Sequence, residues 1–151
     1  MNGKYTLLLV EDDSNDVLLI QRAFQKASMA NPLQVVTDGE EAVAYLSGEG
    51  HYGDRQKHPL PMLVLLDLKL PRKSGLEVLE WLRGQPGLKR LPVVVLTSSK
   101  ESGDVNRAYD LGANSYLVKP VGFDSLVGMV KPLGFYWLML NKAPEIPDER
   151  P

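Results

Sequence analysis

Residues 64–71 read VLLDLKLP, an apolar run of strand length that ends in a carboxylate, Asp67. A turn aspartate is one explanation, since its side chain can accept bonds from amides just downstream. The other is that the strand serves as a rigid mount for Asp67. The choice depends on what surrounds this segment in the chain.

Runs of the same kind recur on either side: TLLLV at 6–10, LQVV at 33–36, LVLL at 63–66, VVVL at 93–96 and YLV at 116–118. They are apolar at nearly every position, as strands covered on both faces are. Between them lie stretches of helical period. Val17, Ile20, Phe24 and Ala27 share one face, with Asp13 or Ser14 as N-cap; Leu76, Leu79 and Leu82 form a second stripe, closed by Gly84. GEEAVAYLSG, GDVNRAYDLG and a segment opening at FDSL supply three more helices. Five strands alternating with five helices predict an α/β fold with a parallel sheet. Right-handed crossovers give the doubly wound arrangement, with strand one near the middle and a crevice at the strands' C-terminal ends.

Two segments break the alternation. GEGHYGDRQKHPLP at 48–61 reads as a long polar loop, functional or mobile. His51 and His58 within it lack acids at ligand spacing and read as solvent-facing. KPLGFYWLMLNK, at 131–142, carries six consecutive apolar residues, Phe135 to Leu140, too many for a lone surface helix. Packing on the domain's own edge competes with an intermolecular interface, and a symmetric homodimer is the favoured expectation. Pro132 predicts a kink or break, since it leaves the Gly128 carbonyl unbonded.

The 151 residues suffice for one domain, and the absence of cysteine excludes disulfides, thiolate metal sites and a cysteine nucleophile. The opening lacks signal-peptide flanks and no apolar run approaches membrane length, so a cytoplasmic protein is expected. A net charge of −2 gives no basic footprint for nucleic acid.

Three predicted strands end in polar residues, VEDD, LLD and LTSS, and the fifth in VKP. The fold brings Glu11, Asp12, Asp67, Thr97 and Lys119 to one crevice. Packed carboxylates repel one another, which implies a cation; oxygen ligands alone favour a hard ion such as Mg2+. With an ammonium and a hydroxyl added, the set suits transfer of a phosphoryl group onto an aspartate.

LLLVEDD, LLDLKLPRKSGLEVL, PVVVLTSS and GANSYLVKP together resemble the four signature stretches of the receiver domain of bacterial two-component response regulators. The resemblance implies a flavodoxin-like sheet of order 2-1-3-4-5, a receiver over residues 1–131, and an apolar C-terminal extension and tail over 132–151. It also implies that Asp67 accepts a phosphoryl group from a sensor histidine kinase. Glu11, Asp12, Asp67 and the backbone carbonyl of Lys69 would then hold Mg2+, and Thr97 and Lys119 would contact the phosphoryl oxygens. Tyr116 matches the switch aromatic that turns in when the threonine moves, and Lys119–Pro120 matches a peptide that is usually cis. Lys69 and Ser99 occupy positions that tune phosphoryl lifetime.

The long loop, ANSYLVKPVGFDSL and the aromatic tail are similar to the single-domain regulators paired with bacterial and cyanobacterial phytochromes, which implies a light-regulated kinase as partner. Three rivals are weaker. A haloacid-dehalogenase phosphatase needs a second acid where Lys69 stands, and flavodoxin-like cofactor binding needs a phosphate-cradling loop where EDDSND stands. The third is a phosphorylation-independent scaffold or dimerisation module that kept the fold and lost the switch, whereas the main expectation is a phosphoacceptor signalling protein rather than an enzyme.

Overall fold

The computed structural model describes residues 6–146. Five parallel strands, β1 (Leu7–Val10), β2 (Leu33–Val36), β3 (Leu63–Leu66), β4 (Val93–Thr97) and β5 (Ser115–Val118), lie in the order β2-β1-β3-β4-β5. The helices between and after them are α1 (Ser14–Lys26), α2 (Gly39–Ser47), α3 (Gly75–Arg83), α4 (Ser102–Asp110) and α5 (Phe123–Gly134). The expected doubly wound fold is therefore the observed one.

Strand alternation explains the two-sided core. Leu8, Val10, Val64, Leu66, Val93 and Val95 face α2, α3 and α4, packing on Tyr45, Leu46, Leu79 and Leu82. Leu7, Leu9, Leu63, Leu65, Val94 and Leu96 face α1 and α5, packing on Ile20, Phe24, Val127 and Val130. Each such side chain contributes about 1.5–3 kcal/mol on burial, so the three central strands anchor everything attached to their ends. The flanking strands are less enclosed than expected: most of β2 and β5 is half-buried and Val118 is exposed, because each has only one neighbour.

Local chemistry sets the helix ends. The Asp13 carboxylate, rather than Ser14, caps α1 by accepting from the amides of Asn15 and Asp16. Ser74 and Glu77 form a reciprocal capping box at α3. At the far end of α3, the Arg83 guanidinium donates to the carbonyls of Lys89, Leu91 and Gly112 and to the Asn114 side chain at 2.8–3.1 Å. These acceptors precede β4 and β5, so one side chain fastens the end of the sheet opposite the crevice.

The segment 48–61 is a long loop, as expected, but it is folded onto the domain. A single 3-10 turn at Gly50–Gly53 brings Tyr52 inward, where its ring lies 5.1 Å from that of Tyr45. Arg55 donates to the carbonyls of Tyr45 and Leu46 at the end of α2 and to that of His58. His51 is exposed but stacks on Tyr52 at 4.0 Å, and half-buried His58 meets both rings edge-on. The polar letters hid an aromatic cluster within the loop and against Tyr45.

Pro132 does not break the last helix. Helix α5 runs through it to Gly134 and passes directly into a π-helical turn, Phe135–Leu140. The missing amide costs one bond, and the widened turn downstream keeps the chain helical. The expected boundary after residue 131 thus falls inside a continuous helix. Beyond it, Arg90 donates to the Glu145 carbonyl and Ile146 rests on the core.

Candidate functional site

The ends of β1, β3, β4 and β5 form the walls of the crevice. The amide of Glu11 donates to Val36, that of Asp67 to Val10 and that of Lys119 to Thr97. Each functional residue is thus the first beyond its strand, or the last within it, and ladder bonds fix its height. Gly75 lets α3 approach closely: a Cβ there would lie 2.1 Å from the Asp67 carbonyl oxygen, and the Gly75 amide donates to Leu68 at 2.9 Å.

Asp67 is 7% exposed and Glu11 1%. One Asp67 oxygen, Oδ1, accepts from the Leu68 amide at 2.7 Å. Its Oδ2 accepts from Lys119 Nζ at 3.3 Å, and the same ammonium donates to Glu11 Oε1 and, at 2.9 Å, to Asp16 Oδ2. Burial pushes the Glu11 carboxyl up to about 7, with Asp67 adding to the shift and the Lys119 bond opposing it. Burial works against the Lys119 charge too, but its bonds to Glu11 and Asp16 and the Asp67 charge outweigh it, leaving the ammonium harder to deprotonate than an ordinary lysine.

Carboxylate oxygens of Glu11, Asp12 and Asp67 lie within 4.8 Å of one another. An oxygen-only set of three acids, one of them solvent-facing, fits a hard divalent cation that retains waters. The Thr97 hydroxyl is completely buried and has no hydrogen-bond partner, an arrangement that costs about 1–3 kcal/mol unless an acceptor arrives. Carboxylate and ammonium are in contact, and the unspent hydroxyl lies at the end of β4, the strand beside the one that carries Asp67.

Of the residues singled out in the sequence, the structure brings Glu11, Asp12, Asp67 and Lys119 together, and one expectation, the cis peptide, fails. The Tyr116 hydroxyl donates to the Ser99 carbonyl of the β4–α4 loop at 3.0 Å. Ser99 in turn donates to Asp104 of α4. The Lys119–Pro120 peptide is trans, no cis bond being present among the described residues, in line with the trans preference of about 0.5–1 kcal/mol for such bonds. Lys69 is exposed, and its carbonyl takes no partner among the described backbone bonds outside helices and strands. Neither histidine joins a group of metal-ligating side chains among the described residues. Sequence reasoning missed Asp16, an acid in the first turn of α1 where acids are expected for the helix dipole alone.

The structure thus joins a doubly wound sheet of this order to an acid-lined crevice with a lysine and a threonine at the strand ends. The family model described as the response regulator receiver domain matches residues 7–131, and the chain belongs to that family. It is similar to the response regulator Rcp1 of Synechocystis sp., 40% identical over 137 residues that cover 91% of each protein. It is as similar to the "Probable methanogenesis regulatory protein FilR2" of Methanothrix harundinacea, 40% identical over 140 residues, 93% of this chain and 88% of that one. Among solved structures, the phosphorylated cyanobacterial phytochrome response regulator RcpA superposes with a TM-score of 0.86 at 39% identity, over 94% of this chain and 99% of RcpA. The Mn2+-bound form of Rcp1 gives 0.83 at 39% identity, over 93% and 99%. The protein is a response regulator similar to Rcp1 and RcpA, with an acidic cluster suited to a divalent metal. No helix among the described residues is long and apolar enough to cross a membrane.

Proposed function

We propose that Asp67 accepts a phosphoryl group from the phosphohistidine of a sensor kinase. In this step the N–P bond breaks, an Oδ–P bond forms, and the imidazole keeps the electron pair. The observation that carries the reading is the pairing of a buried, lysine-bonded Asp67 with a buried Thr97 hydroxyl that has no acceptor of its own. Thr97 and Lys119 would donate to the phosphoryl oxygens. Glu11, Asp12, Asp67 and the Lys69 carbonyl would hold Mg2+. When bound, Mg2+ supplies positive charge that offsets charge on those oxygens. Tyr116 would be the switch aromatic, turning in when Thr97 moves toward the phosphoryl group.

Acetyl phosphate with Mg2+ should give an acid-stable, base-labile acyl phosphate on the wild type and none on Asp67→Asn. A label that survives the substitution defeats the assignment. Spectra that do not respond to beryllofluoride with Mg2+ would favour the scaffold reading.

The likeness to Rcp1 and RcpA supports a bacteriophytochrome kinase as the donor and a cytoplasmic light-signalling phosphorelay as the setting. The equal identity to FilR2 supports a second reading, a kinase that senses something other than light. Phosphotransfer profiling against purified kinases separates the two. Phe135, Tyr136, Met139 and Leu140 are 50–74% exposed, which supports a homodimer through α4, β5, α5 and the 132–151 extension, with no nucleic acid partner. Sedimentation at micromolar concentration tests it: Tyr136→Glu with Met139→Glu should give monomers.

A further inference from the structure

An ammonium has three N–H bonds, and in this crevice each has a carboxylate. Glu11 and Asp16 hold two of them, and the third reaches Asp67. Two acceptors from separate elements fix an ammonium's orientation, so the remaining N–H has one direction left. Glu11 comes from the end of β1, whereas Asp16 comes from the first turn of α1. The Asp13 cap accepts from the Asp16 amide at 3.2 Å and so fixes where Asp16 emerges.

We propose that Asp16 is a positioning residue for phosphoryl transfer: with Glu11 it orients Lys119 so that the third N–H points at the acceptor. This rests on the phosphoacceptor reading above. Asp16 lies outside the acids that converge within 4.8 Å, Glu11, Asp12 and Asp67, so its partner is the ammonium rather than a metal. When Asp67 becomes an acyl phosphate its oxygen loses its charge, and the N–H it held passes to a phosphoryl oxygen. The bonds to Glu11 and Asp16 stay in place, and no side chain has to be displaced. The opposite view, that Asp16 draws Lys119 away from the acceptor, requires that bond to break. Its side chain is 36% exposed, so the ion pair adds little to stability and a purely structural role is a poor account of it.

The test titrates the full chain with beryllofluoride at saturating Mg2+, for the wild type, Asp16→Asn, which keeps an acceptor oxygen without charge, and Asp16→Ala, which removes both. Asp16→Ala should lose about tenfold in affinity through misplacement of the lysine. Asp16→Asn should stay within about threefold of wild type, since a neutral acceptor retains much of the bond. Affinity for Mg2+ alone and the melting temperature should change little in either. In the metal-free chain the Lys119 Nζ signal in 15N-detected NMR should be resolved for the wild type and lost to exchange in Asp16→Ala. An alanine variant that binds beryllofluoride as tightly as wild type, or more tightly, overturns the proposal, as does a persistent Nζ signal. A wild type that ignores beryllofluoride sinks the phosphoacceptor reading instead; the Nζ signal then decides by itself whether Asp16 orients Lys119.

Discussion

The Cβ-less face of Gly75 lies against the carbonyl oxygen of Asp67, with room for no further atom: an added Cβ would sit 2.1 Å from that oxygen and 2.7 Å from Leu68 Cα. Gly75→Ala therefore pushes α3 off the strand end. It should cost about 1–3 kcal/mol in urea unfolding, in the range of overpacked cores. Acetyl phosphate labelling of the fraction that stays folded should fall as well, because the displaced atoms carry the acceptor.

Thr97 is under the opposite tension, between stability and use. Its hydroxyl is buried without a partner, so Thr97→Val, of the same shape, removes a polar atom that costs about 1–3 kcal/mol to leave unsatisfied. The valine variant should melt at the same temperature as wild type or above it. Beryllofluoride should bind it more weakly. A large loss of stability would show that the hydroxyl has a partner after all.

The long loop should respond to Arg55. Its donations to Tyr45, Leu46 and His58 span 2.8–3.1 Å and tie the loop to the end of α2. Arg55→Met should lower stability by about 2 kcal/mol, the scale of a charged donor's bonds. Limited proteolysis should then cut between residues 48 and 61, where wild type resists.

Alkaline unfolding should report Tyr45. Burial pushes its hydroxyl up to about 12, with Arg55 pulling it back and Tyr52 adding to the rise, and the hydroxyl donates to the Pro59 carbonyl at 2.8 Å. Between about pH 10 and 12 the unfolded chain has released this proton and the folded chain has not. Stability is whole below pH 10 and falls as pH rises, by up to about 1.4 kcal/mol per unit. Tyr45→Phe should flatten that slope in denaturation series run at stepped pH.

How much of this could be read from letters follows from what each part depends on. The three inner strands and their order were legible because their sheet is covered on both sides, which makes the apolar runs nearly continuous. Asp67, Thr97 and Lys119 were legible because they sit at the ends of those runs. The cluster of Tyr45, Tyr52, His51 and His58 was not, since a histidine beside a tyrosine looks like loop composition until packing gives it a neighbour. Asp16 was hidden for a different reason: acids are expected in a helix's first turn for the dipole alone, so its bond to Lys119, over a hundred residues away, carries no local mark. Of the kink or break expected at Pro132, the break does not occur, because its local penalty was read without the wider turn that follows it.

Arg83 gives the molecule a fulcrum. Its five bonds bolt the base of α3 to the approaches of β4 and β5, at the end of the sheet away from Asp67. Any rearrangement that begins at the strand tips, where Thr97 ends β4 and Tyr116 bonds Ser99, has a fixed pivot below it. A pivot of this kind predicts displacements that are small beside the guanidinium and larger along the α4 and β5 rim. The same push, with the bolt drawn by Arg83→Ala, would be spent in rocking the whole half-sheet rather than in reshaping one edge.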